Sequence, residues 1–213
     1  MPARLISYKE ELTLAQNGYK AIAGVDEVGV GPLAGPVVAS AVRLPLGLDL
    51  TLLDDSKKLS SMQRARAAEW ILEVADDVGY GLATVEEINR LGIRPANLLA
   101  CRRAVEHLAR VDAVIVDAWT IPGLTVVQRS LIKADACVAS VAAASILAKV
   151  HRDHLMDVMD LAHPQYGFRT HKGYGTRAHM EAIRLHGPCP EHRTSWGVFE
   201  TLCGTGGDRR GPS

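Results

Sequence analysis

Net charge is what this sequence most plainly lacks. Its 24 Lys and Arg residues are matched by 24 Asp and Glu, so no global field draws it to nucleic acid or to a membrane, and a charged ligand has to be met by a local patch. Cysteine is scarce: Cys101, Cys137, Cys189 and Cys203 contain no C-x-x-C pair. That excludes a dense disulfide framework and fits free thiols in a reducing cytoplasm. Long apolar runs are absent as well. The longest small and apolar run, Cys137 to Ala148, is too short to span a bilayer, and the segment Met1 to Glu11 holds no apolar signal core. Neither membrane insertion nor secretion is expected, and no internal repeat or interdomain linker is visible.

What is present is enough apolar material, 47% of 213 residues, for one well-filled core. The pattern alternates strands with helices. Ala21 to Val25 reads as a buried strand, Pro36 to Leu44 as a second and Val78 to Val85 as a third, with helical periodicity over Ser60 to Asp77. A short helix is expected at Glu86 to Leu91, a longer one at Pro95 to Ala109, and a fully apolar central strand at Ala113 to Val116. Leu131 to Asp135 repeats the strand-then-acid arrangement on a smaller scale. Val138 to Leu161 reads as a long helix and Thr176 to His186 as another. Three early strands joined through short turns, followed by helix-separated strands, predict a mixed sheet with helices on its faces. Residues 1–203 are expected to form one domain with a helical C-terminal extension, and the Gly-rich, charged stretch 204–213 a disordered tail.

Chemistry concentrates where the first strand ends. Asp26 and Glu27 close an apolar run and are followed by Gly29, Gly31 and Gly35, so a metal site beside a loop whose backbone N–H groups can approach a ligand is one reading. A solvated acidic pair and a tight turn is the other. Asp117 ends the apolar strand and Asp135 precedes the long helix; each is also readable as a turn or capping residue. Sheet topology can bring all four acids to one edge, and carboxylates gathered without Lys or Arg between them call for a divalent cation, with oxygen donors favouring Mg²⁺ or Mn²⁺ over Zn²⁺. Between Lys149 and Arg193 lie seven of the eight histidines, with Lys149, Arg152, Arg169, Lys172, Arg177, Arg184 and Arg193, against five acids. This stretch is readable as a cationic face or as a mixed-charge helix surface.

Seven ordered motifs between about Ala21 and Trp196 settle among these readings. They are Gly24-Val-Asp26-Glu27-x-Gly29-x-Gly31-Pro-Leu-Ala-Gly35-Pro36-Val37, Asp55-Ser56-Lys57-Lys58-Leu59, Val116-Asp117, Lys133-Ala-Asp135, Ala143-Ala-Ser145-Ile-Leu-Ala-Lys149-Val-x-Arg152-Asp153, Tyr166-Gly-Phe168-x-x-His171-Lys172-Gly-Tyr174-Gly-Thr176, and Gly187-Pro-x-Pro190-x-His192-Arg193. In these the chain resembles bacterial ribonuclease HII. The resemblance implies an α/β, ribonuclease H-like fold with a mixed five-stranded sheet flanked by helices. It implies hydrolysis of RNA in RNA–DNA hybrids and incision at single ribonucleotides in duplex DNA, by a cytoplasmic monomer. Asp26, Glu27, Asp117 and Asp135 match the family's catalytic, metal-binding acids, and two Mn²⁺ or Mg²⁺ ions about 3.5–4 Å apart would drive an in-line displacement leaving 5′-phosphate and 3′-hydroxyl ends.

Asp153 on this alignment anchors the long helix, and Ser145 and the nearby histidines belong to polar helix surface and backbone contacts. Ribose is expected to be read by the backbone of Gly29, Val30 and Gly31 and by the ring of Tyr174, with Tyr166 the fallback or a core aromatic. Lys57, Lys58, Lys149 and Lys172 are candidate phosphate contacts. Where most of the family has Gly-Arg-Gly, this chain has Gly29-Val30-Gly31, so an expected guanidinium grip on phosphate is absent. Ribonuclease HIII shares the fold with a different loop here and usually carries an added N-terminal domain, for which the residues before Ala21 leave no room. The readings from other classes are a carboxylate-metal nuclease acting on DNA alone and a non-catalytic nucleic-acid-binding module.

Overall fold

A computed structural model describes residues 5–203; the stretch 204–213, expected to be disordered, lies outside them. After helix α1 (Lys9–Gln16) comes strand β1 (Ile22–Val28). Successive residues of a strand face opposite ways, so Ile22 joins the apolar cluster on one side of the sheet while Ala23 and Val25 join the cluster on the other. β1 outruns its apolar stretch, because Asp26 and Glu27 are themselves paired, opposite Ser40 and Ala39 of the antiparallel strand β2 (Val37–Arg43). The two acids therefore lie within the strand rather than beyond its end, and their side chains diverge to opposite faces.

Helix α2 (Ser61–Val74) follows, started by a capping box in which Ser60 and Gln63 each accept from the other's backbone N–H. β3 (Asp77–Ala83) then pairs antiparallel with β2 along seven residue pairs. These strands are thus joined across α2, not by the expected short turn. α3 (Val85–Leu91) and α4 (Ile93–Glu106) lead to β4 (Ala113–Asp117), parallel to β1, and β5 (Val127–Leu131), parallel to β4. The sheet has five strands in the order β3-β2-β1-β4-β5. β5 escapes a reading by periodicity because an edge strand admits polar residues, and Val-Gln-Arg-Ser-Leu has no apolar alternation to detect. Consequently Asp135 does not end a strand; it rides on a 3₁₀ turn, Ala134–Ala136, that follows β5.

α4 covers one face through Ala96, Ala100, Cys101 and Ala104, and α5 (Ala139–Ala162) crosses the other. α5 lies directly on β1: a Cβ on Gly24 would fall 2.2 Å from the Ser140 carbonyl carbon, so only glycine lets helix and strand meet at this point. The contact sets Ser145, further along α5, against the acid-bearing end of β1. Ile115, Ile146 and Leu147 are at most 1% exposed, and each such side chain contributes roughly 1.5–3 kcal/mol of burial.

The C-terminal extension comprises α6 (Phe168–His171), α7 (Arg177–His186) and α8 (Val198–Cys203). Its core gathers Leu33, Met156, Phe168, Ile183 and Phe199. Here the basic stretch departs from both surface readings: Arg152, Arg193, His179 and His192 are buried to within 1%. The Arg152 guanidinium donates to the carbonyls of Pro36, Ala34 and Lys172 at 3.0–3.1 Å. Carbonyls of the loop after β1 find no ladder partner, and an unpaired buried carbonyl is costly, so a five-donor side chain is suited to the place.

Candidate active site

Asp26, Glu27, Asp117 and Asp135 line one cavity of about 390 Å³, together with Ser56, Lys57, Arg64, Ser145, Lys149 and Tyr174. The central strands deliver them there: β1 carries the first two, its parallel neighbour β4 the third, and the turn after β5 the fourth. Asp117 accepts a hydrogen bond from the Ala134 amide at 3.2 Å, which ties the end of β4 to the turn bearing Asp135. Asp26 faces α5, with Ser145 beside it and Ser56 Oγ 2.9 Å from Ser145 Oγ. Glu27 faces α4, where Asn97 stands beside it and Cys101 offers its thiol to Oε2 at 3.8 Å.

Electrostatics mark this cavity. Burial lifts the Asp26 carboxyl well above the usual carboxylate range, and the charges of Glu27 and Asp135 add to the effect. Glu27 is raised by its burial and by Asp117, while Asn97 and Cys101 partly offset the rise. Asp117 is raised too, first by burial and then by Asp135. These groups disfavour negative charge as they stand, and an all-oxygen donor set of this kind fits a hard divalent ion. Among the described residues no three acid, His or Cys side chains yet stand around one point. Asp26 and Glu27 diverge across the sheet, and Asp135 is engaged by Lys57 in an ion pair of 3.0 Å.

That ion pair corrects one expectation, since a lysine does stand among the acids. Lys57 is raised chiefly by its bond to Asp135. Lys149 lines the cavity but donates to Asp153 at 2.7 Å, which makes Asp153 its partner on α5. Lys172 is not at the cavity; it pairs with Asp157 and lines a separate hollow with Arg64 and His154. Lys58 is exposed and pairs with Asp54. Tyr174 is 46% exposed at the cavity, whereas Tyr166 is buried against Phe168 with its hydroxyl on the Gly187 carbonyl, so the fallback is a core residue. Gly31 adjoins Tyr174: a Cβ there would lie 3.7 Å from Tyr174 Cε1. Val30 is 38% exposed.

Ser145 is buried rather than on a polar helix surface, and its place beside Asp26 gives it a supporting role. Sequence pattern alone does not single out Asn97 and Cys101 as site residues. Their signal was a polar pair at i, i+4 among the apolar positions of α4, and buried polar groups of that kind have a partner to satisfy; Glu27 is that partner.

Residues 23–198 match the family model described as Ribonuclease HII. The chain belongs to the ribonuclease HII family. It is 49% identical to the ribonuclease HII of Syntrophotalea carbinolica over 194 residues, covering 90% of this chain and 93% of the relative. Against that of Geobacter sulfurreducens it is 48% identical, with 90% and 89% covered. Among solved structures, ribonuclease H2 from Pyrococcus horikoshii OT3 superposes with a TM-score of 0.69 at 25% identity, covering 85% of this chain and 96% of that one. Bst-RNase HIII in complex with Mn²⁺ gives 0.71 at 20% identity, covering 96% and 73%, and supports the fold alone. Membership in the ribonuclease HII family makes this chain a metal-dependent ribonuclease of the H type, a phosphodiester hydrolase acting on RNA–DNA hybrids. Among its described residues no helix is long and apolar enough to cross a membrane.

Proposed function

We propose that this ribonuclease also incises at single ribonucleotides embedded in duplex DNA, and that Asp26, Glu27, Asp117 and Asp135 are its catalytic, metal-holding residues. The observation that carries the reading is the convergence of four carboxylates from two central strands and one turn on a single cavity, with Tyr174 at that cavity. Mn²⁺ or Mg²⁺, held as a pair, supplies activation of water and charge stabilisation at the departing 3′-oxygen. The chain's own part is positional. Asp26 and Asp117 are fixed by strand pairing and by the Ala134 amide, Ser145 and Asn97 orient Asp26 and Glu27, and Lys57 and Lys149 offer cations to substrate phosphates once freed from Asp135 and Asp153. The Gly29–Gly31 backbone and the Tyr174 ring read the ribose and its neighbouring sugar. We propose that it acts as a monomer.

The test is a substrate panel with Mg²⁺, Mn²⁺ or chelator present: a duplex with one ribonucleotide, a uniform RNA–DNA hybrid and an all-DNA duplex. Metal-dependent cleavage of the first two and none of the third is expected. Cleavage of all-DNA duplex would support the reading as a DNA nuclease, and loss of single-ribonucleotide cleavage alone would support ribonuclease HIII-like behaviour, for which Val30 in the loop is the reason to ask.

A further inference from the structure

Two consecutive residues of the C-terminal extension reach both halves of the ribose-reading site. His192 and Arg193 are brought beside the loop after β1 by an antiparallel bridge between Ala34 and His192 and by hydrogen bonds from Gly35 N to Glu191 O and from Arg193 N to Leu33 O, both 2.9 Å. Arg193 engages the loop itself, donating to the Gly29 carbonyl and, at 3.0 Å, to the Val30 carbonyl. All peptide bonds described are trans, and a trans peptide sets its C=O and N–H on opposite sides. Drawing the carbonyls of Gly29 and Val30 toward Arg193 therefore turns the N–H groups of Val30 and Gly31 away from it.

His192 serves the other half. Its Nδ1 lies 2.9 Å from the Cys189 backbone N, which can only donate, and 3.3 Å from the Cys189 carbonyl, which already accepts from His192 N at 3.0 Å; the shorter contact assigns Nδ1 as acceptor and leaves the proton on Nε2. That proton is donated to His179 Nε2 at 3.1 Å. With Nε2 accepting, His179 holds its own proton on Nδ1 and donates it to the Tyr174 carbonyl at 2.9 Å. The donor sense is assigned from one end of the chain to the other. Phe168 edge-on at 5.5 Å and His171 stacked at 4.3 Å hold the His179 ring in place.

We propose that Arg193, His192 and His179 are positioning residues that fix the Val30–Gly31 amides and Tyr174 relative to one another and so set the preference for a lone ribonucleotide. None of the three lines the acid cavity. The proposal rests on the reading of Tyr174 and the glycine loop as the ribose-recognition pair.

The experiment measures kcat and KM on a single-ribonucleotide duplex and on a uniform RNA–DNA hybrid, with Mg²⁺, for the parent, His179→Phe, His179→Asn and Tyr174→Ala. His179→Phe keeps a ring against Phe168 and deletes both hydrogen bonds; His179→Asn places an amide N–H where Nδ1 stood. His179→Phe should lower the kcat ratio between the two substrates roughly three- to tenfold, the worth of one net hydrogen bond, with KM little moved, and His179→Asn should restore most of it. An equal fall on both substrates, or no rescue by Asn, would reduce His179 to packing and overturn the proposal. A ratio lowered by Tyr174→Ala but not by His179→Phe overturns the positioning role alone, whereas a ratio that Tyr174→Ala leaves unchanged overturns the ribose reading beneath it. Imidazole ¹⁵N shifts of the unsubstituted protein give a check that needs no variant: Nε2–H at His192 and Nδ1–H at His179 are expected, and the reverse tautomers would break the chain.

Discussion

Replacing Val30 by arginine should strengthen binding to duplexes without sharpening the choice of ribose. Val30 is 38% exposed on the loop beside Tyr174, with no positive φ, and its carbonyl is held by Arg193. The backbone therefore accepts any side chain, and the new one extends from a fixed stem. Lys57 and Lys149 must each leave an acid to meet a phosphate, and Arg64 is held by the Ser56 and Leu59 carbonyls, so an added guanidinium on an exposed stem is not redundant. A charge-assisted hydrogen bond to phosphate is worth about 1.5–3 kcal/mol, and an exposed stem argues for the lower end, about a tenfold tighter Kd. Neutralising one more phosphate should steepen the slope of log K against log salt by about 0.9. Binding isotherms for both proteins at several salt concentrations, with and without the 2′-hydroxyl, read these quantities. An unchanged affinity and slope would mean that Lys57 or Lys58 already fills the place, and a large change in ribose selectivity would refute the division between charge grip and backbone readout.

Asp26→Asn or Asp117→Asn should abolish cleavage in Mg²⁺ and Mn²⁺ while leaving the fold intact, as seen by turnover and circular dichroism. Without metal, Asp26→Asn should melt above the parent at pH 8, at about 2–4 °C for each kcal/mol relieved. The gain should shrink on acidification: Asp26, Glu27 and Asp117 are raised, so the folded parent holds the extra proton and stabilises as pH falls through their range. His179 and His192 act in the opposite sense. Burial holds both at about 4, so between the ordinary histidine value near 6.5 and about 4 the unfolded chain binds more protons. In the metal-free Asp26→Asn background the stability change on titration from pH 6.5 to 4 sums this loss with the gain from Glu27 and Asp117, which remain raised, so the change should become more favourable once His179→Asn is added; equal changes would refute the assignment. Tyr174→Ala should reduce cleavage at a lone ribonucleotide far more than it reduces duplex affinity, because most affinity comes from charge contacts elsewhere.

Much of the candidate site is legible because its acids stand where apolar strands run out. Asp26, Glu27 and Asp117 are legible in that way, and their convergence follows from β1 and β4 being parallel neighbours. Asp135 was placed at the right edge for the wrong reason, since the strand preceding it is a polar edge strand with no periodicity and the acid belongs to a 3₁₀ turn. The divergence of Asp26 and Glu27 is implicit in the two-residue period of a strand, yet it emerges only once both are known to be paired within β1. Least legible were the buried cations. Arg152 and Arg193 read as surface charge because charged residues seldom go inside; only the irregular loop, whose carbonyls need donors, explains why they do. The Lys57 pair with Asp135 is not legible, because it depends on the loop before α2, whereas the Lys149–Asp153 pair follows from i, i+4 spacing on the helix expected over Val138 to Leu161.

The most direct test is end-group mapping of cleavage on a duplex containing one ribonucleotide, with Mg²⁺ or Mn²⁺ and with chelator. Water-driven displacement at the four-carboxylate cavity predicts metal-dependent scission beside the ribonucleotide, leaving a 5′-phosphate and a 3′-hydroxyl. A 2′,3′-cyclic phosphate end, persisting in chelator, would mean that the ribose hydroxyl is the nucleophile and that Asp26, Glu27, Asp117 and Asp135 do not hold the catalytic ions.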